Sequence, residues 1–399
     1  MNLPRLRILT AAACILLAPM AHGAIETTPT LADAPKPKAL LDADFAIHVW
    51  KLKPRAGETT ATLRERTRAD LRKLLNRDLS TMKTDADFWR LLAYLRQYPW
   101  ERMPAKWQGW YLSNMPNPRL TDEQRTSAVE RLSKRPIYKM TPKEVDLYLG
   151  HLQDTIPALR DRVVAIARQN LGQPYDMYLL GEFPFEIHDD QPLFDLTHGD
   201  CVVFSEHVYA MALSRDWTGF FRNLMRLRYK DGEVGILTRN HFTEADWDKN
   251  NSWLVRDVTG ELGATTVTKF TERIDRARFF ANFGIGQDIP VQMLEDEYIP
   301  AEAIEGVLDK LEDGDFVNVV RGRGAGVWVG HVGLVARGKD GTVHFIHSTE
   351  PKSVEVPMME YVRDNMKANV RREREGKAMF MGMKFLKLRP DAVGKTAPR

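Results

Sequence analysis

The stretch from Phe194 to Leu213, FDLTHGDCVVFSEHVYAMAL, contains Cys201, one of two cysteines in the 399-residue chain. A cysteine acts as a nucleophile only as its thiolate, so its surroundings must favour ionisation of a group whose ordinary pKa is about 8.5. Asp200 is a good helix N-cap residue and predicts that Cys201 lies in the first turn of a helix, where the helix dipole favours negative charge. The alternative is a small buried hydrophobic side chain, a role that cysteine often has.

A second stretch, VWVGHVGLVARGKDGTVHFIHST, carries two histidines that could serve this thiol. It reads as a β-hairpin, with His331 and His347 on its two strands and GKDG at the turn. Because side chains alternate between the faces of a strand, His331 shares a face with Val335, and His347 shares one with Phe345. An odd-numbered turn with Gly341 in the left-handed conformation puts both histidines on one face. A two-residue turn would put them on opposite faces.

These three residues form the thiol version of a nucleophile–base–orienter triad. Cys201 would attack an acyl carbon, and His331 would take the thiol proton and later donate it to a leaving amine. His347 would hold the ring of His331 in the required tautomer. The structural alternative for two strand histidines is a hydrogen-bonded pair in the core.

Other chemistries find little support in the sequence. It has no Cys-x-x-Cys or His-Glu-x-x-His motif, so we expect no metal site. The glycine-rich RGRGAGVWVG leads into a strand rather than a helix and fits neither a phosphate loop nor a dinucleotide fingerprint; we interpret it as a loop beside His331. The formal net charge of +3 falls to +1 when Arg5 and Arg7 are excluded, which gives no electrostatic basis for binding nucleic acid.

The first residues, MNLPRLRILTAAACILLAPMAHGA, show the basic, apolar and small-residue regions of a secretory signal peptide. We therefore predict a signal peptide at residues 1–23, export to the periplasm or the medium, and no membrane span in the mature chain. A mature protein with Cys201 as its single cysteine forms no internal disulfide, which makes this thiol a candidate reactive group.

The rest of the chain divides by its patterning. Residues 24–45 are rich in Pro, Ala and Thr and read as a linker, and residues 46–145 show helical periodicity and read as an accessory region. Residues 146–390 are predicted to form the catalytic domain, in which the helix of Cys201 precedes short strands bounded by Gly, Asp or Pro. A helix followed by an antiparallel meander gives an α+β class.

Four motifs occur in order: LGQPY, the Asp200–Cys201 pair, RNHFTEADWDKNN, and GHVGLV followed by FIHST. Together they resemble the N-acetylmuramoyl-L-alanine amidase-like branch of the NlpC-type cell-wall cysteine hydrolases, over roughly Leu159 to Leu388. The chain departs from that branch at Gly199, where an aromatic residue is frequent, and at Ser348, where alanine commonly follows the histidine.

The resemblance implies a circularly permuted papain-like fold with an antiparallel sheet, with Cys201 as nucleophile, His331 as base and His347 as the third member. It also places a tyrosine beside the nucleophile. Further side chains are candidates for binding the substrate: Tyr175, Asp200, Arg239, His241 and Trp247.

The implied activity is hydrolysis of the amide between N-acetylmuramic acid and L-alanine, with peptidoglycan or muropeptide fragments as substrate and no cofactor. One alternative is a γ-D-glutamyl–diaminopimelate endopeptidase of the same superfamily. A catalytically silent wall-binding protein and a thiol acyltransferase are the others. The sequence leaves the oligomeric state open.

Overall fold

The computed structural model describes residues 42–75, 94, 122–182, 188–189, 191–389 and 391–392. The predicted signal peptide, most of the predicted linker and the aromatic stretch from Tyr98 to Asn117 lie outside the described residues. Within the described part of the chain, no helix is long and apolar enough to cross a membrane.

An eight-stranded antiparallel sheet forms the centre of the fold, in the order β2-β3-β8-β4-β5-β6-β7, with β1 paired to β8. Its strands are β1 Val255–Asp257, β2 Thr268–Ile274, β3 Gln292–Pro300, β4 Phe316–Arg323, β5 Gly326–Arg337, β6 Val343–Ser348, β7 Ser353–Pro357 and β8 Met379–Leu388. The fold is therefore a mixed α/β arrangement built on an antiparallel sheet.

The helices of the described residues are α1 Ala43–Val49, α2 Thr60–Leu75, α3 Asp122–Leu132, α4 Pro142–Thr155, α5 Leu159–Gln169, α6 Cys201–Ala212, α7 Trp217–Arg228, α8 Arg276–Phe280 and α9 Met358–Arg374. A π-helical turn, Thr243–Trp247, runs into a short α-helical turn, Asp248–Asn250, and a 3-10 segment spans Ala301–Lys310.

Hydrophobic cores cover both faces of the sheet. On β5, Leu334 and Ala336 join the core formed with α4 to α7, whereas Val335 joins the core formed with α9 and the 3-10 segment. On β6, Ile346 belongs to the first core and Phe345 to the second. Such alternation along both strands is what an antiparallel sheet covered on both sides requires.

The short strand-like stretches of the sequence at 252–260, 315–320, 327–338, 342–349 and 382–388 overlap β1, β4, β5, β6 and β8. The predicted order of a helix followed by a simple meander is wrong: β8 inserts between β3 and β4, and α9 separates β7 from β8. The glycine-rich stretch is also not a free loop, since Arg323 pairs with Gly326 in a tight β4–β5 hairpin.

The described part of the predicted accessory region contains the end of α1, all of α2 and α3, and the start of α4. Its carboxyl-terminal residues Leu132, Ile137 and Met140 lie in the same hydrophobic core as α5 and α6. Helix α4 runs through the predicted boundary between residues 145 and 146, so this boundary remains a prediction.

Candidate active site

Helix α6 begins at Cys201, as the Asp200 motif predicts. The backbone of Asp200 is extended, and its Oδ1 accepts hydrogen bonds from the amides of Val202 at 2.9 Å and Val203 at 2.8 Å. These are donors that a helix start otherwise leaves unpaired. Residues 203–212 of the helix are buried, whereas Cys201, the first residue of the helix, is half-buried.

Burial raises the pKa of the Cys201 thiol to about 12, and the nearby charge of Asp200 adds to the rise. The backbone N–H of Val332 on β5, a hydrogen-bond partner of the sulfur, acts in the opposite direction. Desolvation thus outweighs the helix start that we expected to favour the thiolate. At neutral pH the thiol is protonated, and a base must remove its proton during attack.

His331 follows a β-bulge in β5. Val319 pairs with His331 but Val320 pairs with Val329, so Gly330 is an extra residue on this strand. A Cβ at Gly330 would lie 2.5 Å from Cγ of Arg321, which leaves glycine as the residue that fits. Bulges bend a strand and re-aim the neighbouring side chain. The sequence contains the glycine but gives no register from which this bulge could be predicted.

The two strand histidines are hydrogen-bonded to each other, with His331 Nε2 and His347 Nδ1 2.8 Å apart and their rings nearly perpendicular at 87°. The prediction that they share a face is confirmed, because Val335 pairs with Phe345. The connecting loop has the predicted odd length, from 338 to 342, and Gly341 adopts φ 83°.

Both histidines are neutral at neutral pH. Burial, the proximity of His347 and the charge of Arg321 hold the pKa of His331 well below its usual value, and burial lowers the pKa of His347 to about 4. In a neutral pair one ring donates and the other accepts. When His331 Nε2–H donates to His347 Nδ1, the remaining nitrogen of His331, Nδ1, is the basic one.

Aromatic side chains hold the ring of His347 in place. It stacks on Phe345, with centroids 4.6 Å apart and planes at 16°, and meets the edge of Tyr361 from α9 at 5.3 Å. Sequence reasoning missed Tyr361, because helix α9 lies outside the motifs and its packing depends on the tertiary fold. Stacking and the hydrogen bond to His331 together fix the ring orientation.

A cavity of about 590 Å³ brings the predicted residues together. Cys201 and His331 both line it, and so do three of the predicted substrate-binding residues: Tyr175, Asp200 and His241. A second wall comes from the π-helical turn, β2 and α8 through Glu244, Glu272 and Phe279. This wall was not anticipated, because β2 and α8 lack a distinctive motif.

Arg239 and Trp247 lie outside the set of described residues that line the cavity. Trp247 is 1% exposed, stacks on Phe316 at 4.3 Å and donates through Nε1 to Glu206. Arg239 forms ion pairs with Asp189 at 3.0 Å and Glu182 at 3.2 Å. Both side chains therefore anchor the segment from Arg239 to Asn251 by packing and ion pairing, and they do not line the cavity.

Tyr175 is held beside the thiol by backbone contacts. Its N–H donates to the carbonyl of Pro351 at 3.0 Å, and Pro174 accepts from the N–H of Gly199 at 3.1 Å. Burial raises the pKa of the Tyr175 phenol, and the nearby Cys201 adds to the rise, so the phenol stays protonated and can donate a hydrogen bond.

Ser348, where the sequence departs from the related motif, links the two halves of the site. Its hydroxyl donates to the carbonyl of Gly199 at 2.7 Å, and both residues are buried. This bond ties the end of β6, next to His347, to the segment that precedes Cys201. A Cβ at Gly199, the other departure, would contact Oε1 of Gln173 at 3.3 Å.

Comparisons with solved structures give two kinds of match. A crystal structure of a DUF1460-family protein from Legionella pneumophila superposes with a TM-score of 0.55 at 18% identity, over 66% of this chain and 96% of that one. An N-acetylmuramoyl-L-alanine amidase from Bacteroides uniformis gives a TM-score of 0.45 at 20% identity, over 58% and 99% of the two chains. The first likeness concerns the fold alone, and the second is too low to carry an argument.

Comparison with curated proteins gave no match. Residues 165–368, about half of the chain, match the AmiA-like family, described as N-acetylmuramoyl-L-alanine amidase-like, and include Cys201, His331 and His347. The chain belongs to this amidase-like family.

Proposed function

We propose that the protein is a cysteine amidase that hydrolyses the bond between N-acetylmuramic acid and L-alanine in peptidoglycan or its fragments. Cys201 is the nucleophile, His331 the general base and His347 the residue that orients the base. Membership of the amidase-like family supports the substrate class. The substrate lies outside the cytoplasmic membrane, which agrees with the signal peptide predicted at residues 1–23 and an exported enzyme.

One observation carries the proposal. The histidine pair uses Nε2 of His331, at 2.8 Å from His347, and His331 lines the same cavity as the half-buried thiol of Cys201. The amide of Val332, the residue after His331, is itself a hydrogen-bond partner of the sulfur. A nucleophile and a base that line one cleft, with an orienting group hydrogen-bonded to the base, suit acyl transfer.

In the first half-reaction the sulfur of Cys201 forms a bond to the lactyl carbonyl carbon while His331 takes the thiol proton. The C–N bond then breaks, the same proton passes to the departing L-alanine nitrogen, and a thioester remains. Water attacks the thioester as it gives a proton to His331, and that proton returns to the sulfur as the free acid leaves. The neutral ground state makes His331 a true general base rather than half of a resting ion pair.

The oxyanion that forms at the carbonyl needs hydrogen-bond donors. Asp200 already occupies the amides of Val202 and Val203, so the amide of Cys201 is the helix-start donor left for this task. The Tyr175 phenol, which stays protonated beside the thiol, is the second candidate.

The nucleophile on a helix followed by base and orienter on adjacent strands is the chain order of the NlpC-type hydrolases with a permuted papain-like fold. We assign the protein to that mechanistic class on this order and on the site geometry. The proposal does not need the predicted accessory region, because Cys201, His331 and His347 all lie in the predicted catalytic domain.

Purified muropeptides incubated with the mature protein under reducing conditions test the proposal, with the products identified by mass spectrometry. New free L-alanine amines with intact stem peptides are the expected result. New diaminopimelate amines would instead assign the endopeptidase activity. Transfer to an added amine would assign an acyltransferase, and no cleavage of any bond would leave a wall-binding protein. Cys201→Ala is the matched inactive control.

A further inference from the structure

Strand β5 has an incompletely paired edge beside the active site. Its pairing with β6 ends at Leu334 and Ile346, whereas β5 itself extends back to Gly326. In the part of the chain that the structure describes, residues 326–333 of β5 therefore pair with β4 alone. Backbone N–H groups on such an edge need other acceptors. The bulge at Gly330 and the base His331 both lie on this stretch.

Glu244 from the π-helical turn occupies this edge. It is 3% exposed, and its Oε1 accepts a hydrogen bond from the N–H of Val329 at 2.7 Å. Val329 immediately precedes the extra residue of the bulge. A bond from a backbone N–H to a buried carboxylate is stronger than one between neutral groups, so the contact fixes the start of the bulge firmly.

Glu272 on β2 lines the same cavity wall as Glu244. No basic side chain of the described residues pairs with either carboxyl, and Oε2 of Glu272 is buried without a donor. Burial raises the pKa of Glu272 to about 10, and the nearby Glu244 and Asp296 add to the rise. At neutral pH this favours the protonated form of Glu272.

We propose that Glu244 is a positioning residue for His331: it fixes the β5 bulge next to this base, in the cavity that Cys201 also lines. The inference rests on the proposed amidase function and deepens it. Glu244 touches neither the thiol nor the histidine pair, so it acts through the backbone between Val329 and His331. Its loss lets the bulge relax and turns the ring of His331 away from the sulfur.

Three variants test this role. Glu244→Ala removes the acceptor, and Glu244→Gln keeps an oxygen that can accept from Val329. Asp246→Asn is the control on the same turn; it also weakens an ion pair with Arg276, so it is the more disruptive change away from β5. Asp246 lies on the same turn and also accepts a backbone N–H, that of Phe242 at 3.0 Å, but it does not contact β5 in any described hydrogen bond. Circular dichroism and thermal unfolding show whether each variant folds.

Muropeptide hydrolysis gives kcat and KM for each variant. We expect Glu244→Ala to lower kcat by about 10- to 100-fold with little change in KM, since an ångström of misplacement costs a rate of that order. Glu244→Gln restores most of the rate, and Asp246→Asn keeps it. A folded Glu244→Ala protein with wild-type kcat, or an equal loss in Asp246→Asn, overturns the proposal.

A second measurement does not depend on hydrolysis. The rate at which iodoacetamide alkylates Cys201 at pH 7 reports on whether His331 can take the thiol proton. We expect Glu244→Ala to fall toward the rate of His331→Ala, and Glu244→Gln and Glu272→Gln to stay near that of the wild type. If muropeptides are not cleaved but this pattern holds, the proposed function fails and the positioning role stands. Wild-type alkylation in Glu244→Ala overturns the positioning role alone.

Discussion

Two clusters of buried ionisable side chains contact the central sheet, and they differ in whether their charges are paired. On β8, Lys384 is 1% exposed and pairs with Asp257 at 3.2 Å, Asp248 at 3.7 Å and Asp296. At the active site, neither Cys201 nor the two histidines form an ion pair within the described residues. The charges near them have the wrong sign for ionisation, since Asp200 opposes the thiolate and Arg321 opposes a protonated His331.

The difference separates buried charge that holds the fold from buried groups that do chemistry. Lys384 keeps its proton because the aspartates around it offset the cost of desolvation, and Lys384 in turn opposes the burial that raises the pKa of Asp248 to about 8. Cys201 and His331 are also desolvated but have no oppositely charged partner, so they remain neutral. A neutral thiol and a neutral imidazole transfer one proton when the substrate is attacked, whereas Lys384 keeps its charge in a permanent ion pair.

The largest effect we expect is on the nucleophile. Cys201→Ala should lower kcat by about 10⁴-fold or more, because removal of the attacking atom leaves only binding and oxyanion contacts. The half-buried thiol carries no charge, so the thermal unfolding midpoint should stay near that of the wild type. Muropeptide turnover and a thermal melt measure the two quantities. Residual turnover above one per cent of wild type would assign the chemistry to another group.

Lys384→Met should have the opposite effect, a large loss of stability with little change in turnover. The substitution leaves buried carboxylates without their cation and should lower the free energy of unfolding by about 3–5 kcal/mol, measured by urea denaturation. Turnover per folded molecule should be retained. Lys387→Met on the same strand is the control, since its partly exposed contact with Glu312 should contribute less than about 1 kcal/mol. Equal losses in the two variants would show that the cluster on β8 is not the stabilising one.

His347→Ala should lower kcat less than Cys201→Ala does but more than Lys384→Met does. It removes the hydrogen-bond partner of His331 Nε2, so the base can adopt the wrong tautomer or orientation, and kcat should fall by about 100-fold with KM nearly unchanged. His347→Gln, whose side-chain oxygen can accept the same hydrogen bond, should recover part of the loss. If alanine and glutamine behave alike, packing against Phe345 and Tyr361 matters more than the hydrogen bond.

The sequence predicted what depends on local pattern. The Asp200 cap fixed the start of α6, and strand alternation with Gly341 at the turn put the two histidines on one face. It did not predict the bulge at Gly330, because a bulge is a property of register between two strands. The raised thiol pKa was likewise unpredictable, since burial of the helix tip depends on how β5 and α6 pack. Trp247 is a case in which the motif misled: it suggested a side chain in the cleft, but Trp247 packs in the hydrophobic core.

The smallest effect concerns stability in acid. The pKa of His347 is lowered to about 4 in the folded state. Between pH 6.5 and 4, therefore, the unfolded chain, whose histidine pKa is about 6.5, binds a proton that the folded protein does not. The stabilisation is complete above pH 6.5 and is lost as the pH falls toward 4, with a slope of at most about 1.4 kcal/mol per pH unit. Relative to the wild type, His347→Gln should therefore gain about 1–2 kcal/mol in the free energy of unfolding between pH 6.5 and 5.

His207 offers the matched comparison, because it lies on α6, is buried among apolar side chains and has its pKa lowered to about 4 for the same reason. His207→Gln should flatten the same acid limb of urea-measured stability and leave muropeptide turnover unchanged, whereas His347→Gln should change both. A pH-independent difference between wild type and His347→Gln would mean that His347 is not held neutral by burial. The contrast between groups kept neutral for reaction and charges paired for stability would then apply to Cys201 and His331 alone.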